Sequence, residues 1–370
     1  MTSPPSAFKP NILVAPLDWG LGHATRCIPV VRELIKQGAN ILIAAEGPVG
    51  FLLRQEFPDQ NFVPLKGYGV RYSRHRWTLP FALALQIPKI LSAIQYENQR
   101  LKILVKEHQI HGIISDNRYG LYHPEVPAVF ITHQLTIKTG WGSAADRTLR
   151  SLNYRFIHRF DECWVPDFEK SPGLAGELSH PPTVPNIPLH YIGPLSRFQS
   201  TQEQGENVLI LLSGPEPQRT LLENLLLQQT QQLNQPVTLV RGLPGNTPSL
   251  PNQTHLTAYN HLDATMLEQE INRAALVVAR CGYSTVMDMA RMRKKTILIP
   301  TPGQTEQEYL SRHLMQSRYA FTVPQNKFNL KAALNLANNF QYEPWPETDS
   351  GLRAAITAFL DRVITSTSLT

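Results

Sequence analysis

Cysteine is scarce. Cys27, Cys163 and Cys281 are the whole complement, and none stands in a Cys-x-x-Cys or Cys/His spacing, which argues against both a disulfide framework and a structural zinc. Long apolar runs are missing as well. The most apolar stretch, Leu79 to Ile94, is broken by Pro80, Gln86, Pro88 and Lys89 and falls short of the roughly 20 residues that span a bilayer. Met1 to Pro10 carry Pro and Ser and no apolar segment of the kind that forms a secretory signal, so a cytoplasmic location is expected. Charged residues make up only 17% of the chain against 42% hydrophobic, which excludes a disordered or coiled-coil protein.

What is present is a chain of 370 residues, longer than a single core usually supports, so two α/β domains are expected. The formal charge of +6 suits an anionic partner such as a nucleotide diphosphate, a lipid phosphate or nucleic acid. Apolar β-type runs occur at 11–15, 40–45, 62–65, 112–115, 128–132 and 162–165, with helical patterns between most of them, and this alternation predicts a parallel sheet. From Ser171 to Gln204 the composition turns to Pro, Ser, Gly and Gln, broken by the short apolar run Leu189 to Ile192, and the linker is placed near 196–205. A second unit opens as the first does, with a strand at 207–212, the loop Ser213-Gly214-Pro215-Glu216-Pro217 and a helix over 218–233. Strands follow at 237–241, 255–258, 276–279 and 296–299. The expected boundaries are 1–197 and 198–370, and the amphipathic helix at 352–364 has the N-terminal domain as one place to dock.

The most informative stretch is Ala279-Arg280-Cys281-Gly282-Tyr283-Ser284-Thr285-Val286-Met287-Asp288, a strand end, glycine turn and helix start. Such a turn offers free backbone N–H groups, hydroxyls and a positive dipole end to a phosphate. Asp288 lies about one turn further on, within reach of ribose hydroxyls. After the next strand, Thr301-Pro302-Gly303-Gln304-Thr305-Glu306-Gln307-Glu308-Tyr309 enters another helix, and Gln307 and Glu308 are candidates to read sugar hydroxyls. For either segment alone, a capped helix with a solvated face is the better reading. Together they open at one carboxyl edge, where α/β sheets bind ligands.

The stretch from Arg280 to Tyr309 resembles the C-terminal donor domain of family-28, MurG-like glycosyltransferases. That resemblance implies a GT-B fold, two Rossmann-like domains with parallel sheets facing an interdomain cleft. It further implies that Gly282, Ser284 and Thr285 contact a diphosphate, Asp288 the ribose and Gln307 with Glu308 the sugar. Arg280, Tyr283 and Gln304 are counted with the donor set, as are Ser213 and Gly214 at the start of a glycine-rich loop. The family has Glu at the ribose position and Gln-Gln at the sugar position, where this chain has Asp288 and Gln307-Glu308.

In the N-terminal half, Gly20-Leu21-Gly22-His23 follows the first strand and resembles the acceptor-side loop of the same family. Ser115-Asp116-Asn117 and Thr132-His133-Gln134 follow two further strands and so face the same edge. His23, Asp116 and His133 are each candidates for the base that removes a proton from an acceptor hydroxyl. Gly20, Leu21, Gly22, Asn117 and Gln134 are the expected acceptor contacts. Basic and aromatic residues from Lys66 to Trp77, followed by the apolar helix beginning near Leu79, suit a membrane surface over 66–90. No nucleic-acid recognition motif accompanies the charge.

The expected reaction is inverting, metal-independent transfer of a hexosyl or N-acetylhexosaminyl group from a UDP-sugar co-substrate to a lipid-linked or glycan acceptor. No cofactor and no metal ligand set is expected, and the chain contains no Asp-x-Asp pair. Two alternatives stand beside it: a UDP-sugar epimerase on the same fold, and a non-catalytic subunit that binds nucleotide sugar.

Overall fold

The computed structural model describes residues 8–68, 87–201, 205–243, 247–250, 255–347 and 351–368. Most of the basic segment expected at a membrane, 69–86, lies outside them.

In the N-terminal half the elements run β1 (Asn11–Pro16), α1 (Leu21–Lys36), β2 (Asn40–Ala44), α2 (Gly47–Glu56), β3 (Asn61–Val63), α3 (Ile87–Glu107), β4 (Gly112–Asp116), β5 (Ala128–Ile131), α4 (Ser143–Ile157), β6 (Glu162–Val165) and β7 (Leu189–Tyr191). The C-terminal half follows with β8 (Asn207–Leu211), α5 (Gln218–Thr230), β9 (Val237–Val240), β10 (Leu256–Tyr259), α6 (Ala264–Arg273), β11 (Ala274–Arg280), α7 (Tyr283–Arg291), β12 (Thr296–Ile299), α8 (Thr305–Gln316), β13 (Phe321–Thr322), α9 (Leu330–Asn338) and α10 (Leu352–Ser368).

The strands form two wholly parallel sheets, ordered β3-β2-β1-β4-β5-β6-β7 and β10-β9-β8-β11-β12-β13. Parallel strands covered on both faces read as continuous apolar runs, as Ile12-Leu13-Val14-Ala15 and Leu276-Val277-Val278-Ala279 do. In each half the chain first winds one way from its opening strand and then crosses to that strand's other side. This puts a switch point between β1 and β4, and another between β8 and β11. Ligand crevices open at the carboxyl ends of such strands. There lie Gly20 to His23 and Asp116 in one half, and Ser213, Gly214 and Gly282 to Thr285 in the other.

Leu189 to Tyr191, a brief apolar run amid Pro- and Ser-rich sequence, is the seventh strand of the first sheet, paired with β6. The Phe321–Thr322 strand, too short to carry a period-2 signal, closes the second sheet against β12.

One apolar cluster runs from Ile12, Ile28 and Leu34 through Trp164, Leu174 and Leu195 to Tyr283, Met287 and Leu298, so the two halves share a core. α10 returns to the first half. Its Phe359 meets Trp164 edge to face, with ring centroids 6.0 Å apart. Its Arg362 bonds Glu162 at 2.9 Å, and its Thr357 hydroxyl donates to Gln37 at 3.0 Å. Gly112 makes room for it, since a Cβ there would stand 2.8 Å from Phe359 and 2.9 Å from Val363.

Candidate active site

The loop from β1 to α1 turns on Gly20, whose φ of 101° is strained for any side-chain-bearing residue. Gly20 caps α1 and Gly282 caps α7, neither supplying a side-chain acceptor, so the first N–H groups of both helices are left for a ligand. α6 and α9 differ, being capped by the side chains of Asp263 and Asn329. The two glycine-capped starts meet across the cleft: a Cβ on Gly22 would lie 2.5 Å from the Ser284 hydroxyl.

Just inside α1, His23 Nδ1 lies 2.8 Å from Asp116 Oδ2 at the end of β4. Arg26, one turn beyond His23 and buried, donates from Nε to the same carboxylate at 2.9 Å, and from Nη2 to its other oxygen. Arg26 Nη2 also lies 2.7 Å from His23 Nδ1. That nitrogen thus faces both an acceptor and a donor: carrying the proton of a neutral His23 it donates to Asp116, and without that proton it accepts from Arg26. In the first form Nε2 is a lone pair with no hydrogen-bond partner among the described residues.

Burial and the neighbouring Arg26 charge pull the His23 pKa below its ordinary 6.5, against the opposing pull of Asp116. Burial alone would raise Asp116, but Arg26 and His23 hold it below the usual carboxylate range. The side chains therefore sit as a neutral imidazole oriented by a fixed carboxylate. The backbone beneath them is pinned by buried Arg118, which bonds Glu97 at 2.7 Å, Pro16 O at 3.2 Å and Lys66 O at 2.6 Å, joining the segments that follow β1, β3 and β4.

The third candidate base is placed differently. His133, after β5, reaches across the cleft to Glu306 of α8 with Nε2 to Oε1 at 3.0 Å, and its ring stacks on Tyr283 with centroids 4.1 Å apart. Gln134 donates to the other Glu306 oxygen. Asn117 takes a φ of 57° and its N–H donates to Ile131 O, while Leu21 is exposed at the cleft mouth.

On the donor side, Ser284 and Thr285 are half-buried in the first turn of α7, and Ser213 and Gly214 form an exposed loop after β8. Asp288 accepts a 2.6 Å bond from Ser196 in the linker, and burial pushes its carboxyl up to about 7, opposed by Ser196 and Arg197. Gln307 takes the Thr301 N–H at 2.9 Å and bonds Gln304, and Glu308 takes the Gly303 N–H at 3.0 Å, so this trio shapes the loop that enters α8. Arg280 and Tyr283 face inward. Arg280 donates to Gln218 O at 2.7 Å, and the Tyr283 hydroxyl to Pro166 O at 2.8 Å across the domain boundary. Arg26, Glu306 and Ser196 were not singled out in the sequence. His23-x-x-Arg26 has the spacing of one helix face and was a usable signal, whereas nothing local marks Glu306 or Ser196.

Residues 213–349 match the family model described as Glycosyltransferase family 28 C-terminal domain. Residues 213–349 thus form a glycosyltransferase family 28 C-terminal domain. Among solved structures, the glycotransferase of kitacinnamycin is similar over 97% of this chain and 96% of its own, with 11% identity and a TM-score of 0.64. MurG of Acinetobacter baumannii is similar over 90% of each chain, with 14% identity and a TM-score of 0.53. UGT89C1 of Arabidopsis thaliana, solved with UDP-L-rhamnose, covers 97% of this chain and 95% of its own at 11% identity and a TM-score of 0.60. No curated protein sequence matches the chain. At these identities the structural likeness speaks to the fold, and that fold is GT-B. With the family-28 domain, it makes the chain a GT-B glycosyltransferase. Among the described residues no helix is long and apolar enough to cross a membrane.

Proposed function

We propose that this family-28 glycosyltransferase transfers a hexosyl or N-acetylhexosaminyl group from a UDP-sugar to a hydroxyl of a lipid-linked or glycan acceptor, with inversion and without a metal. The observation that carries the reading is the His23–Asp116 pair, 2.8 Å apart, beside the point where the α1 and α7 starts meet. In this scheme His23 Nε2 takes the acceptor proton as the hydroxyl oxygen bonds to the anomeric carbon. The bond from that carbon to the diphosphate breaks, and its electron pair leaves with UDP.

Asp116 positions the imidazole and stabilises its charge once protonated, as an orienting carboxylate does in a Ser-His-Asp triad. His133 is not the base in this scheme, because its Nε2 faces Glu306 and its Nδ1 faces Arg26. The free amides of Tyr283, Ser284 and Thr285 meet the charge that grows on the diphosphate, a role that requires no cation. In this scheme the acceptor attacks from the side opposite the diphosphate, as the family resemblance implies. A single displacement of that kind inverts. UDP as the leaving group rests on the family resemblance, and Asp288 is its proposed ribose ligand, exchanging Ser196 for the sugar.

Calorimetric titration with UDP, UDP-N-acetylglucosamine, UDP-glucose and GDP-mannose, with and without chelator, tests the reading. Uridine-selective binding that survives chelation and is lost in Asp288→Ala is expected. If no nucleotide binds, the donor site is wrong. Isomerised donor without transfer would instead identify an epimerase, and binding without turnover a non-catalytic subunit.

A further inference from the structure

Four side chains of α8 reach the N-terminal domain, and three of them meet backbone there. The Thr305 hydroxyl donates to Lys138 O at 2.7 Å, the Tyr309 hydroxyl accepts from Glu177 N at 2.7 Å, and His313 Nε2 donates to Gly173 O at 3.1 Å. Glu306 differs because its partners are side chains that lead to the reaction centre. His133 Nε2 approaches it at 3.0 Å, and the amide of Gln134 donates to its second oxygen.

The histidine's other nitrogen, Nδ1, lies 3.4 Å from Arg26 Nη1, a donor that cannot accept. Hydrogen-bond accounting therefore fixes one neutral form of His133, with the proton on Nε2 given to Glu306 and the lone pair on Nδ1 turned to Arg26. Arg26 in turn grips the Asp116 carboxylate that orients His23. A continuous polar chain thus runs Glu306, His133, Arg26, Asp116, His23, and its first member comes from the donor domain. The face of the His133 ring is also set by that domain, through Tyr283.

We propose that Glu306 is a cross-domain positioning residue that, through His133 and Arg26, sets the base pair His23–Asp116 when the donor domain is seated against the acceptor domain. The assignment rests on the transferase reading above and adds to it a coupling between domain seating and base geometry. Glu306 itself touches neither the base nor the leaving-group site. Its loss is expected to slow turnover while leaving nucleotide binding intact.

The test pairs a spectrum with kinetics. In histidine-labelled protein, nitrogen NMR, with the ring assigned by His133→Gln, is expected to show the Nε2–H form of His133 in wild type and loss of that single form in Glu306→Ala. UDP release should be followed from whichever of UDP-N-acetylglucosamine and UDP-glucose wild type binds. It should slow about tenfold in Glu306→Ala, with UDP affinity by calorimetry within about twofold of wild type on the same scale. Glu306→Gln, which keeps an acceptor oxygen, should recover part of the rate. An Nδ1–H form in wild type would overturn the proposal, as would a Glu306→Ala protein with unaltered tautomer and rate. So would loss of UDP-sugar binding with UDP affinity intact, since Glu306 would then read the sugar directly. Failure of the transferase reading is separate: wild type would bind no UDP, whatever the His133 spectrum shows.

Discussion

At the scale of single residues, the site depends on titratable groups held in fixed states by their neighbours. In the proposed scheme His23 accepts a proton only while neutral, and burial beside Arg26 keeps its pKa below 6.5. The acid limb of kcat/KM against pH is therefore expected to have its midpoint below 6.5, and a midpoint well above it would point to another base. His23→Ala should lower kcat by about 100- to 10,000-fold while UDP affinity by calorimetry stays near wild type.

Asp288 behaves in the opposite sense. Its folded pKa of about 7 stands above the ordinary 3.8, so the folded protein holds this proton more tightly than the unfolded chain. The associated stability is fully present below 3.8 and is lost as pH rises through 7. Asp288→Asn removes the carboxylate that is costly to ionise. Its melting temperature should therefore gain on wild type progressively from pH 4 to pH 8, with UDP affinity reduced. A gap that stays constant across that range would show that Asp288 does not titrate with the fold.

At the scale of elements, the cleft is shaped by where helices begin and what covers those beginnings. α8 approaches the N-terminal domain so closely that Gly176, at a φ of 56°, leaves no space for a side chain: a Cβ would lie 2.5 Å from the Tyr309 hydroxyl and 3.0 Å from His313. Gly176→Ala combines backbone strain with this overlap and should push α8 away from the acceptor domain. The expected result is a larger radius of gyration by solution scattering and slower turnover, with the UDP affinity of the donor domain retained. Unchanged scattering and rate would mean that the loop, and not the helix, absorbs the clash.

For the whole molecule, the two halves are joined by more than the segment between β7 and β8. α10 belongs to the C-terminal half in sequence but buries Ile356, Phe359, Leu360 and Val363 against the N-terminal half. Each such side chain is worth about 1.5 to 3 kcal/mol when fully buried. Ending the chain before Leu352 should therefore lower the urea midpoint and expose Trp164, seen as a red shift and quenching of its emission. It should also split a single unfolding transition into two, because the helix straps one domain to the other. A truncated chain that melts as wild type does would show that the shared core between the domains suffices.

Sequence alone was enough for the architecture, because parallel strands and their helices follow from local periodicity and glycine placement. Asn11 to Ala15, Glu162 to Val165 and Thr296 to Ile299 are apolar runs that read as strands anywhere. The Gly282 turn likewise announced a helix start at the sheet's carboxyl edge and, through its resemblance to family 28, the enzyme class. Brief elements such as Phe321–Thr322 carry too few residues for a periodic signal, and their existence is decided by the neighbouring strand. The polar chain from Glu306 to His23 was illegible for a different reason. His23 and Asp116 are 93 positions apart and His133 and Glu306 are 173 apart, and no local pattern encodes which loops two domains will press together. Residue types and helix starts are properties of segments. What each candidate histidine's ring nitrogens face is a property of the assembled cleft, where loops and helices from both domains supply the neighbours.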